Sequence, residues 1–429
     1  MDSQTNAPHL RQASAPATDE PDSLPQVTTI LFAIACGLSV ANIYFAHPLL
    51  DAMAADFGIS AAAVGGVVTL TQIGYALGLI FIVPLGDFLE RRKLIVGQGV
   101  LSAIALIVVA TAPTEDVLLV AMVAVGLLAV VVQVLVAFAA TLASPAARGK
   151  AVGTVTSGVV VGLLLARFVS GMLADLGGWR AVYMVSAAAT LVMAAILFRV
   201  LPREGSSRSS ASYRELLRSV LMLFIDEPIL RVRAVLGLLI FAAFSAFWTA
   251  LVLPLSAPPR SMSHTEIGLF GLAGFAGVLA ANGAGRAADR GLGQWTTGVS
   301  LALLLASWGL IVLLDSSIAM MVVGVIVLDL AVQAVHVTNQ SIILATRPDA
   351  HSRLVAGYMV FYSIGSAIGA IASTAIYARV GWFGVCALGA GVSAAGLIFW
   401  AATRHVGRSR IGEALPSARR QGRPSAHAR

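Results

Sequence analysis

The residues best suited to proton chemistry lie on one predicted helix inside a long apolar stretch. Asp329 is followed by Gln333, His336 and Gln340, at offsets of four, seven and eleven positions. At about 100° per residue, these four positions fall within an arc of about 60° on one helix face. A charge at the centre of a membrane helix costs about 2.5–3.5 kcal/mol, so a carboxylate there indicates a function or a buried partner. The pattern predicts that Asp329 carries a proton and that His336 is a secondary relay, with a purely structural network as the alternative.

A lone arginine, Arg167, falls within a second apolar stretch. Its guanidinium stays charged in proteins, so it needs a partner or water. Asp329 and backbone carbonyls are the two candidate partners. We therefore group Arg167 with Asp329 and His336 as candidates for proton coupling, and a structural ion pair is the alternative role.

Further polar and aromatic side chains within apolar stretches could line a cavity. Phe244 and Trp248 lie on one face at helical spacing, and Tyr358 and Tyr362 lie one turn apart. A cavity with an aromatic wall and few polar groups suits an amphiphilic small molecule. The cavity candidates are Asn42, Tyr44, Gln72, Gln133, Phe244, Trp248, Gln333, Asn339, Tyr358 and Tyr362.

The composition indicates a membrane protein. Of 429 residues, 58% are hydrophobic and only 11% are charged, which is too little charge to cover a soluble surface. Many uncharged stretches reach the roughly 18 residues that cross a hydrocarbon layer as a helix. Because backbone groups in lipid must be satisfied internally, these stretches predict an all-α membrane protein.

The stretches predict twelve transmembrane helices in two bundles of six. The predicted spans are roughly 27–50, 62–86, 93–112, 116–141, 150–174 and 179–200, then 230–254, 265–288, 294–314, 318–345, 353–377 and 381–402. We expect a disordered tail at 1–26, a bundle at 27–201, a linker at 202–229, a second bundle at 230–403 and a basic tail at 404–429. The linker segment 213–224 fits a short amphipathic surface helix.

Several landmarks recur at one offset along the chain. Gly178-Trp179 and Gly381-Trp382 are separated by 381 − 178 = 203 residues, and the prolines of two polar breaks share that offset. Repetition in one order at one spacing indicates a duplicated unit, and hence two pseudo-symmetric halves. Glycines recur in spans 2, 5, 8 and 11 of the two halves, which favours a close interface on which the halves slide.

The positions of Lys and Arg predict the orientation. One side of the predicted spans carries only Arg180, Arg260 and Arg379, whereas nearly all the other Lys and Arg residues, of 28 in total, lie on the opposite side. Short loops rich in Lys and Arg stay in the cytoplasm. Both termini and the linker are therefore expected to be cytoplasmic.

Other classes of function are disfavoured by what the sequence contains. The net charge of +7 comes from short loops and the C-terminal tail rather than from a basic patch with aromatics, so we expect no nucleic acid partner. Cys36 and Cys386 stand alone in apolar stretches, which suggests no disulfide framework and no metal site. We also expect no cofactor and no enzymatic activity, because neither a phosphate-binding loop nor a nucleophile–base arrangement stands out.

Two charged turns carry a family resemblance. The turn 86–93, with Asp87, Arg91 and Arg92, has a counterpart at 285–291, with Asp289 and Arg290. Together with Asn42-Ile43-Tyr44 and the polar residues of span 10, they resemble the drug/proton antiporter-like or sugar-efflux-like branch of the major facilitator superfamily. Phe88 and Glu90 depart from the family pattern in the first copy.

The resemblance implies that these turns act as conformational latches. Asp87 would approach the start of span 11 near Arg353, and Asp289 the start of span 5 near Lys150. A helix N-terminus favours negative charge, so such contacts are physically reasonable. A turn that only fixes the topology is the alternative.

The function implied is secondary active transport of a small molecule by alternating access, as proton-coupled efflux. An importer or facilitative carrier of the same fold is the first alternative, and a non-transporting receptor is the second. We expect a monomer in a bilayer, namely a bacterial inner membrane, with protons as the coupling ion.

Overall fold

The computed structural model describes residues 26–144, 147–202, 213–346 and 351–406, and within these ranges the chain forms helices, turns and loops without strands. The expected all-α architecture is confirmed. The helices are α1 (Gln26–Tyr44), α2 (Leu50–Phe57), α3 (Gly65–Phe81), α4 (Arg91–Ala110), α5 (Glu115–Leu128), α6 (Val131–Leu142), α7 (Arg148–Val200), α8 (Tyr213–Asp226), α9 (Pro228–Ala250), α10 (Val252–Ser256), α11 (His264–Leu269), α12 (Phe275–Asp289), α13 (Gly293–Ile311), α14 (Ile318–Leu344), α15 (His351–Val380) and α16 (Trp382–Thr403).

Ten helical segments of the described chain are long and apolar enough to cross a membrane. Two features account for the difference from twelve. The 53 residues of α7 include one non-helical residue, Gly178 (φ 79°, ψ 166°), which joins two spans end to end. The eighth predicted span is broken into α11, a 3-10 turn (Phe270–Gly274) and α12. The structure is therefore consistent with twelve spans.

The outer faces of the helices carry large apolar side chains. Val120 is 71% exposed, Val192 59% and Ile398 70%. Exposed apolar surface of this kind on many helices is expected where lipid, rather than water, surrounds the protein.

The duplication is visible in the backbone. Gly178 and Gly381 both have positive φ, 79° and 72°, which side chains with a Cβ rarely adopt. Each glycine precedes a buried tryptophan at the start of the next span. Trp179 donates its indole N–H to Asp56, and Trp382 donates to the carbonyl of Ile311. The same sharp connection thus joins the last two spans of each half.

Close packing through glycine operates both inside each bundle and between the two bundles. On α7, a Cβ added to Gly158 or Gly162 would overlap the backbone of α1. On α15, a Cβ added to Gly365 or Gly369 would overlap the backbone of α9. These four glycines bring two helices of one bundle into contact, whereas a Cβ added to Gly65, Gly171 or Gly268 would overlap the backbone of the opposite half. The expected close interface between the halves is therefore present at some of the recurring glycines and not at others.

The linker segment forms the helix that the sequence predicts. Within α8, the Tyr213 hydroxyl donates to the carbonyl of Phe81 in the first half, 2.8 Å away, and Phe224 stacks on Phe361 of the second half. We call the end of the bundles that bears α8 the linker side and the opposite end the distal side.

Candidate functional site

A cavity of about 570 Å³ lies between the two bundles. Residues of α7 from Gly153 to Arg167 line one wall, and residues of α14 from Asp329 to Val337 line the facing wall. Phe275 at the start of α12 lies between these walls. We call this space the central cavity. Its volume falls within the roughly 300–1,000 Å³ of pockets that hold drug-sized ligands.

The central cavity extends along α7 towards the linker side. Gly153 is only five residues from the first residue of α7, and a Cβ added to it would meet no described atom within 4 Å. The fourteen residues from there to Arg167 correspond to about 21 Å of helix at about 1.5 Å per residue. Arg167 therefore lies at the inner end of the cavity. Thr156 and Ser157, which sequence reasoning missed, add hydroxyl groups to the α7 wall.

Arg167 is buried among aromatic rings. It is 3% exposed, and its guanidinium carbon lies 3.8 Å from the ring centroid of Trp248, 5.2 Å from that of Tyr44 and 5.6 Å from that of Phe244. Its Nε and Nη2 atoms have no hydrogen-bond partner among the described residues. The rings contact the face of the guanidinium, but they do not accept its in-plane N–H groups.

Asp329 is also buried, 3% exposed, and lines the same cavity. Its Oδ1 accepts a hydrogen bond from Trp248 Nε1 at 3.2 Å. A Cβ added to Gly274 would lie 3.0 Å from Asp329 Oδ2, so the glycine leaves room for the carboxylate. Trp248 thus separates the two charges: its ring contacts Arg167 and its N–H donates to Asp329. None of the ion pairs in the described part of the chain joins Arg167 to Asp329.

The polar face predicted for α14 divides between two environments. Asp329 and Gln333 line the central cavity. His336 instead lies against α15, where its Nδ1 is 3.0 Å from the Tyr358 hydroxyl, and its Nε2 is 3.3 Å from Gln340 Nε2. Within the described chain no hydrogen bond links His336 to Asp329.

Four further cavity candidates, all aromatic, lie near Arg167 or form a contact between the two bundles close to it. Phe244 lines the central cavity, and Trp248 holds Asp329. The hydroxyls of Tyr44 and Tyr362 share a hydrogen bond that joins α1 to α15 across the two bundles. These contacts place the aromatic candidates around the buried arginine.

The remaining amide candidates lie inside single bundles. Asn42 accepts a hydrogen bond from Ser186, and Gln133 donates to the hydroxyl of Tyr75 at 3.4 Å. Gln72 is buried, and its Oε1 has no partner among the described residues. None of these three amides is among the residues that line the central cavity.

Arg233 is a second buried arginine, which sequence reasoning did not single out. The sequence places it only on the linker side of the predicted spans. In the structure α9 begins at Pro228, and Arg233 lies in its second turn and is 3% exposed. It donates to Thr297 Oγ1 at 3.1 Å and to Asn339 Oδ1 at 3.2 Å. Asn339 therefore holds a buried arginine rather than lining the cavity.

The latch aspartates, Asp87 and Asp289, have side chains that lie outside the described part of the structure. Their approach to Arg353 and Lys150 stays a prediction. Lys150 and Arg290 are exposed in this structure.

Arg91 and Arg92 contact residues of the first bundle. Arg91 donates to Thr141 Oγ1 at 2.8 Å, and Arg92 donates to the carbonyl of Phe198. Here they hold α4 against α6 and the end of α7.

Sequence reasoning missed a polar cluster on the distal side, which we call the distal clasp. His264 Nε2 lies 3.1 Å from Asp51 Oδ1, and His264 Nδ1 lies 3.2 Å from Asp175 Oδ1. Asp175 also accepts hydrogen bonds from the backbone N–H groups of His264 at 3.1 Å and Thr265 at 2.8 Å. A carboxylate of the first bundle thus caps the N-terminus of α11 in the second. The contact to Asp51 raises the pKa of His264 above its ordinary value of 6.5, although burial opposes the shift.

Comparison with known proteins settles the family. The model of the Major Facilitator Superfamily matches residues 31–328 and 234–426. The chain belongs to this superfamily. The expected resemblance is confirmed, and with it the fold of two pseudo-symmetric helical bundles.

Relatives and a solved structure agree with this assignment. The superfamily member described here is 47% identical over 371 residues to the putative uncharacterized transporter YgaY of Escherichia coli K12, covering 86% of this chain and 94% of the relative. It is 31% identical to the probable transporter SCO4007 of Streptomyces coelicolor, with 87% and 86% covered. It is 28% identical to the purine ribonucleoside efflux pump NepI of Escherichia coli O127:H6, with only 46% and 50% covered. The inward-facing, occupied crystal structure of a bacterial homolog of the human lysosomal transporter Spinster shares the fold, with a TM-score of 0.71, 16% identity and 89% and 96% covered.

These findings establish the general function. The superfamily member is a multi-pass membrane protein and a transporter.

Proposed function

We propose that this superfamily member moves a small molecule by alternating access and couples the movement to protons through Asp329. The observation that carries the proposal is the central cavity, which lies between the bundles, extends towards the linker side and ends at Asp329 and Arg167. A site between two halves near the middle of the membrane suits transport by rocking of one half against the other.

Asp329 suits the coupling role because it is both buried and reachable. It is 3% exposed, yet it is one of the residues that line the cavity. A proton can drive a conformational change only if it binds one state more tightly than the other. Rocking of the bundles would change the distance of Asp329 from Arg167, and therefore its affinity for a proton.

We further propose a bacterial inner membrane location, with the linker side in the cytoplasm. The distribution of Lys and Arg supports this orientation. A reporter fused to the chain after Arg404 would test it, since activity of a reporter that works only outside the cytoplasm contradicts the orientation.

For the direction of transport we propose two candidates. Efflux is supported by the likeness to an efflux branch and by the name of the relative NepI, which the chain matches over part of its length. Import is favoured by the unpaired donors of Arg167, which suit an anion that would travel together with a proton.

The coupling is tested by metabolite measurements in cells that express wild type, Asp329→Asn or no transporter. Wild-type protein should change the cellular content of at least one small molecule, and a protonophore should abolish that change. Asp329→Asn should reach the membrane in normal amount yet lose the protonophore-sensitive part. Asp226→Asn, at an exposed carboxylate in α8, is the matched control and should resemble wild type. A wild-type profile for Asp329→Asn would assign Asp329 to structure.

A further inference from the structure

We propose that the central cavity binds an amphiphilic organic anion, whose anionic group is held by Arg167 and which enters together with a proton on Asp329. This inference names the substrate class for the proposed function and rests on it for transport. The binding step stands on the structure of the cavity alone.

The first ground is the unmet hydrogen-bonding capacity of Arg167. The side chain is buried at 3% exposure in the cavity wall, and neither its Nε nor its Nη2 has a partner among the described residues. A buried donor without an acceptor costs about 1–3 kcal/mol, and more for a charged group. Nε and one Nη form the fork that pairs with two oxygens of a carboxylate, sulfonate or phosphate.

The second ground is that the nearby carboxylate does not use this fork. Asp329 Oδ1 accepts from Trp248 Nε1 at 3.2 Å, and the indole ring lies against the guanidinium, 3.8 Å from its carbon. Trp248 contacts both groups, and among the described residues Asp329 and Arg167 form no direct ion pair. The fork is available to an acceptor that enters through the cavity.

A second buried arginine of the same protein shows how acceptors can be provided for a guanidinium. Arg233 is equally buried, at 3% exposure, but its Nη1 donates to both Thr297 and Asn339. The second bundle therefore provides acceptors for its structural arginine. The surroundings of Arg167 provide aromatic faces instead, which leave the edge of the guanidinium unpaired.

The third ground is the charge balance of the cavity. Arg167 and Asp329 are the two ionisable side chains among the described residues that line it. With Asp329 ionised, an added anion would face a like charge in a poorly screened space. With Asp329 protonated, the site has one positive charge that the anion neutralises. Anion and proton therefore favour each other's binding, and the coupling is reciprocal.

The groups around Asp329 determine whether a pH dependence of anion binding can be assigned to this residue. Arg167 of α7 faces it as the charged group, α9 presents Trp248, and the turn before α12 presents Gly274. On its own helix the nearest titratable group is His336, two turns away and engaged with Tyr358. A pH dependence of anion binding that the substitution Asp329→Asn abolishes would therefore be assigned to protonation of Asp329.

The apolar part of the cavity wall fits the apolar body of the proposed anion. Val160, Val161 and Leu164 of α7, with Phe244 and Phe275, give the wall an apolar surface. Val161 and Phe275 are 51% and 61% exposed, so this wall continues onto the outside of the bundle. A molecule with one anionic group and an apolar body matches both parts of the wall.

Joint binding has a consequence for direction. If the anion enters with a proton, both move the same way, and an inward proton gradient drives import. An antiporter requires that proton and substrate exclude each other, which a neutral or cationic substrate would do more readily at Asp329. The charge of the substrate and the direction of transport are therefore one question.

Binding to the purified full-length chain in lipid nanodiscs tests the proposal. Three probes share an aromatic body and differ in charge: naphthalene-2-sulfonate, 2-naphthol and a naphthylmethyl-trimethylammonium salt. We expect the sulfonate to bind at least about tenfold more tightly than the other two, which corresponds to one charge-assisted contact. The sulfonate stays ionised at all relevant pH values. Its affinity should fall as the pH rises in wild type and stay constant in Asp329→Asn.

Variants separate the arginine from the apolar wall. Arg167→Gln should weaken sulfonate binding about tenfold or more and leave 2-naphthol binding unchanged, while Arg167→Lys should retain part of the preference. Arg180→Gln is the matched control, because Arg180 also stacks on a tryptophan, at 4.4 Å from the ring of Trp179, but lies on the distal side outside the cavity. It should bind all three probes as wild type does.

Two outcomes would overturn the inference: equal affinity of wild type for the three probes, or an unchanged preference in folded Arg167→Gln. If Arg167→Gln fails to fold, the comparison of probes on wild type and on Arg167→Lys decides. Uptake into proteoliposomes with an acidic exterior tests transport separately. Sulfonate binding without proton-driven uptake would refute the proposed function and keep the binding site, whereas proton-driven transport without anion preference would refute this inference alone.

Discussion

The distal and linker sides of the interface between the bundles contrast in how the two halves meet. On the distal side, Asp175 of the first half caps α11 of the second, and a Cβ added to Gly171 would overlap the backbone of His264. On the linker side, Gly149 of α7 and Gly283 of α12 have no described atom within 4 Å of an added Cβ. The structure is therefore closed distally and separated along the α7 wall on the linker side.

If the predicted latches form, one physical device would serve both ends. A carboxylate of one half caps a helix of the other half at the distal side, where it is formed. The turns with Asp87 and Asp289 are predicted to make the corresponding contacts at the linker side. Alternating access requires that the two sets form in turn, because both cannot be closed while the bundles rock.

The largest effect is expected from a larger side chain that prevents the two halves from meeting on the distal side. A Cβ at Gly268 would overlap the backbone of Arg167 in the opposite half, so Gly268→Val should hold the distal side apart. Overpacking costs about 1–3 kcal/mol, enough to shift the populations about five- to a hundredfold. Distances between spin labels at positions 176 and 269, with both native cysteines replaced, should lengthen. Gly66→Val, where no described atom lies within 4 Å of an added Cβ, is the control and should leave them unchanged.

Removal of the distal cap should have the next largest effect. Asp175→Ala deletes the acceptor of two backbone N–H groups at the start of α11. Loss of a helix cap costs about 0.5–2 kcal/mol, so the same label distances should shift towards distal opening. Asp175→Asn should do less, because asparagine keeps an acceptor. If Asp175→Ala matches Asp116→Ala, a change at an exposed distal carboxylate, the cap does not hold the two halves together.

At the linker side, Asp87→Asn should act on the opposite state. If Asp87 caps α15 when the linker side closes, its neutralisation should raise labelling of cysteines placed at Gly149 and Ser352. We expect a smaller change than at the cap of α11, because the structure already has this side separated along α7. Unchanged labelling in a well-expressed variant would leave the turn as a topology signal.

The smallest effect is expected from pH at the distal clasp. The pKa of His264 is raised by its contacts with Asp51 and Asp175, so protonation stabilises the closed clasp. This contribution is fully present below the ordinary pKa and is lost as the pH rises through the raised value. In wild type, the population of molecules with the longer label distance should therefore rise a few-fold towards alkaline pH. His264→Gln should remove the dependence, and a persistent pH response in that variant would assign it to another group.

The sequence predicted those features that depend on local pattern. Apolar length gave the spans, and the Gly-Trp repeat marked the backbone turns at Gly178 and Gly381. Asp329 and Arg167 could be singled out because isolated charges inside apolar stretches are rare and costly. Their meeting across the cavity follows from the fold of two halves.

The features that the sequence did not predict depend on which helices become neighbours. A helical arc places Asp329 and His336 on one face, but only the packing shows that the first meets the cavity and the second meets Tyr358. For the same reason, Gly158 and Gly162 of α7 contact their own bundle while Gly171 of the same helix contacts the opposite half. The distal clasp joins Asp51, Asp175 and His264 from three distant parts of the chain, and each of them lies between predicted spans with no local pattern that marks it.

The helix α8 contacts both bundles and therefore links them at a second place besides their interface. In the proposed alternating-access cycle the distal contacts would break, and the halves would then stay linked through α8. Because α8 touches Phe81 in one half and Phe361 in the other, it keeps the halves at a high effective concentration. Re-closure is then an intramolecular event, whose rate depends on the length and grip of this tether rather than on diffusion in the bilayer.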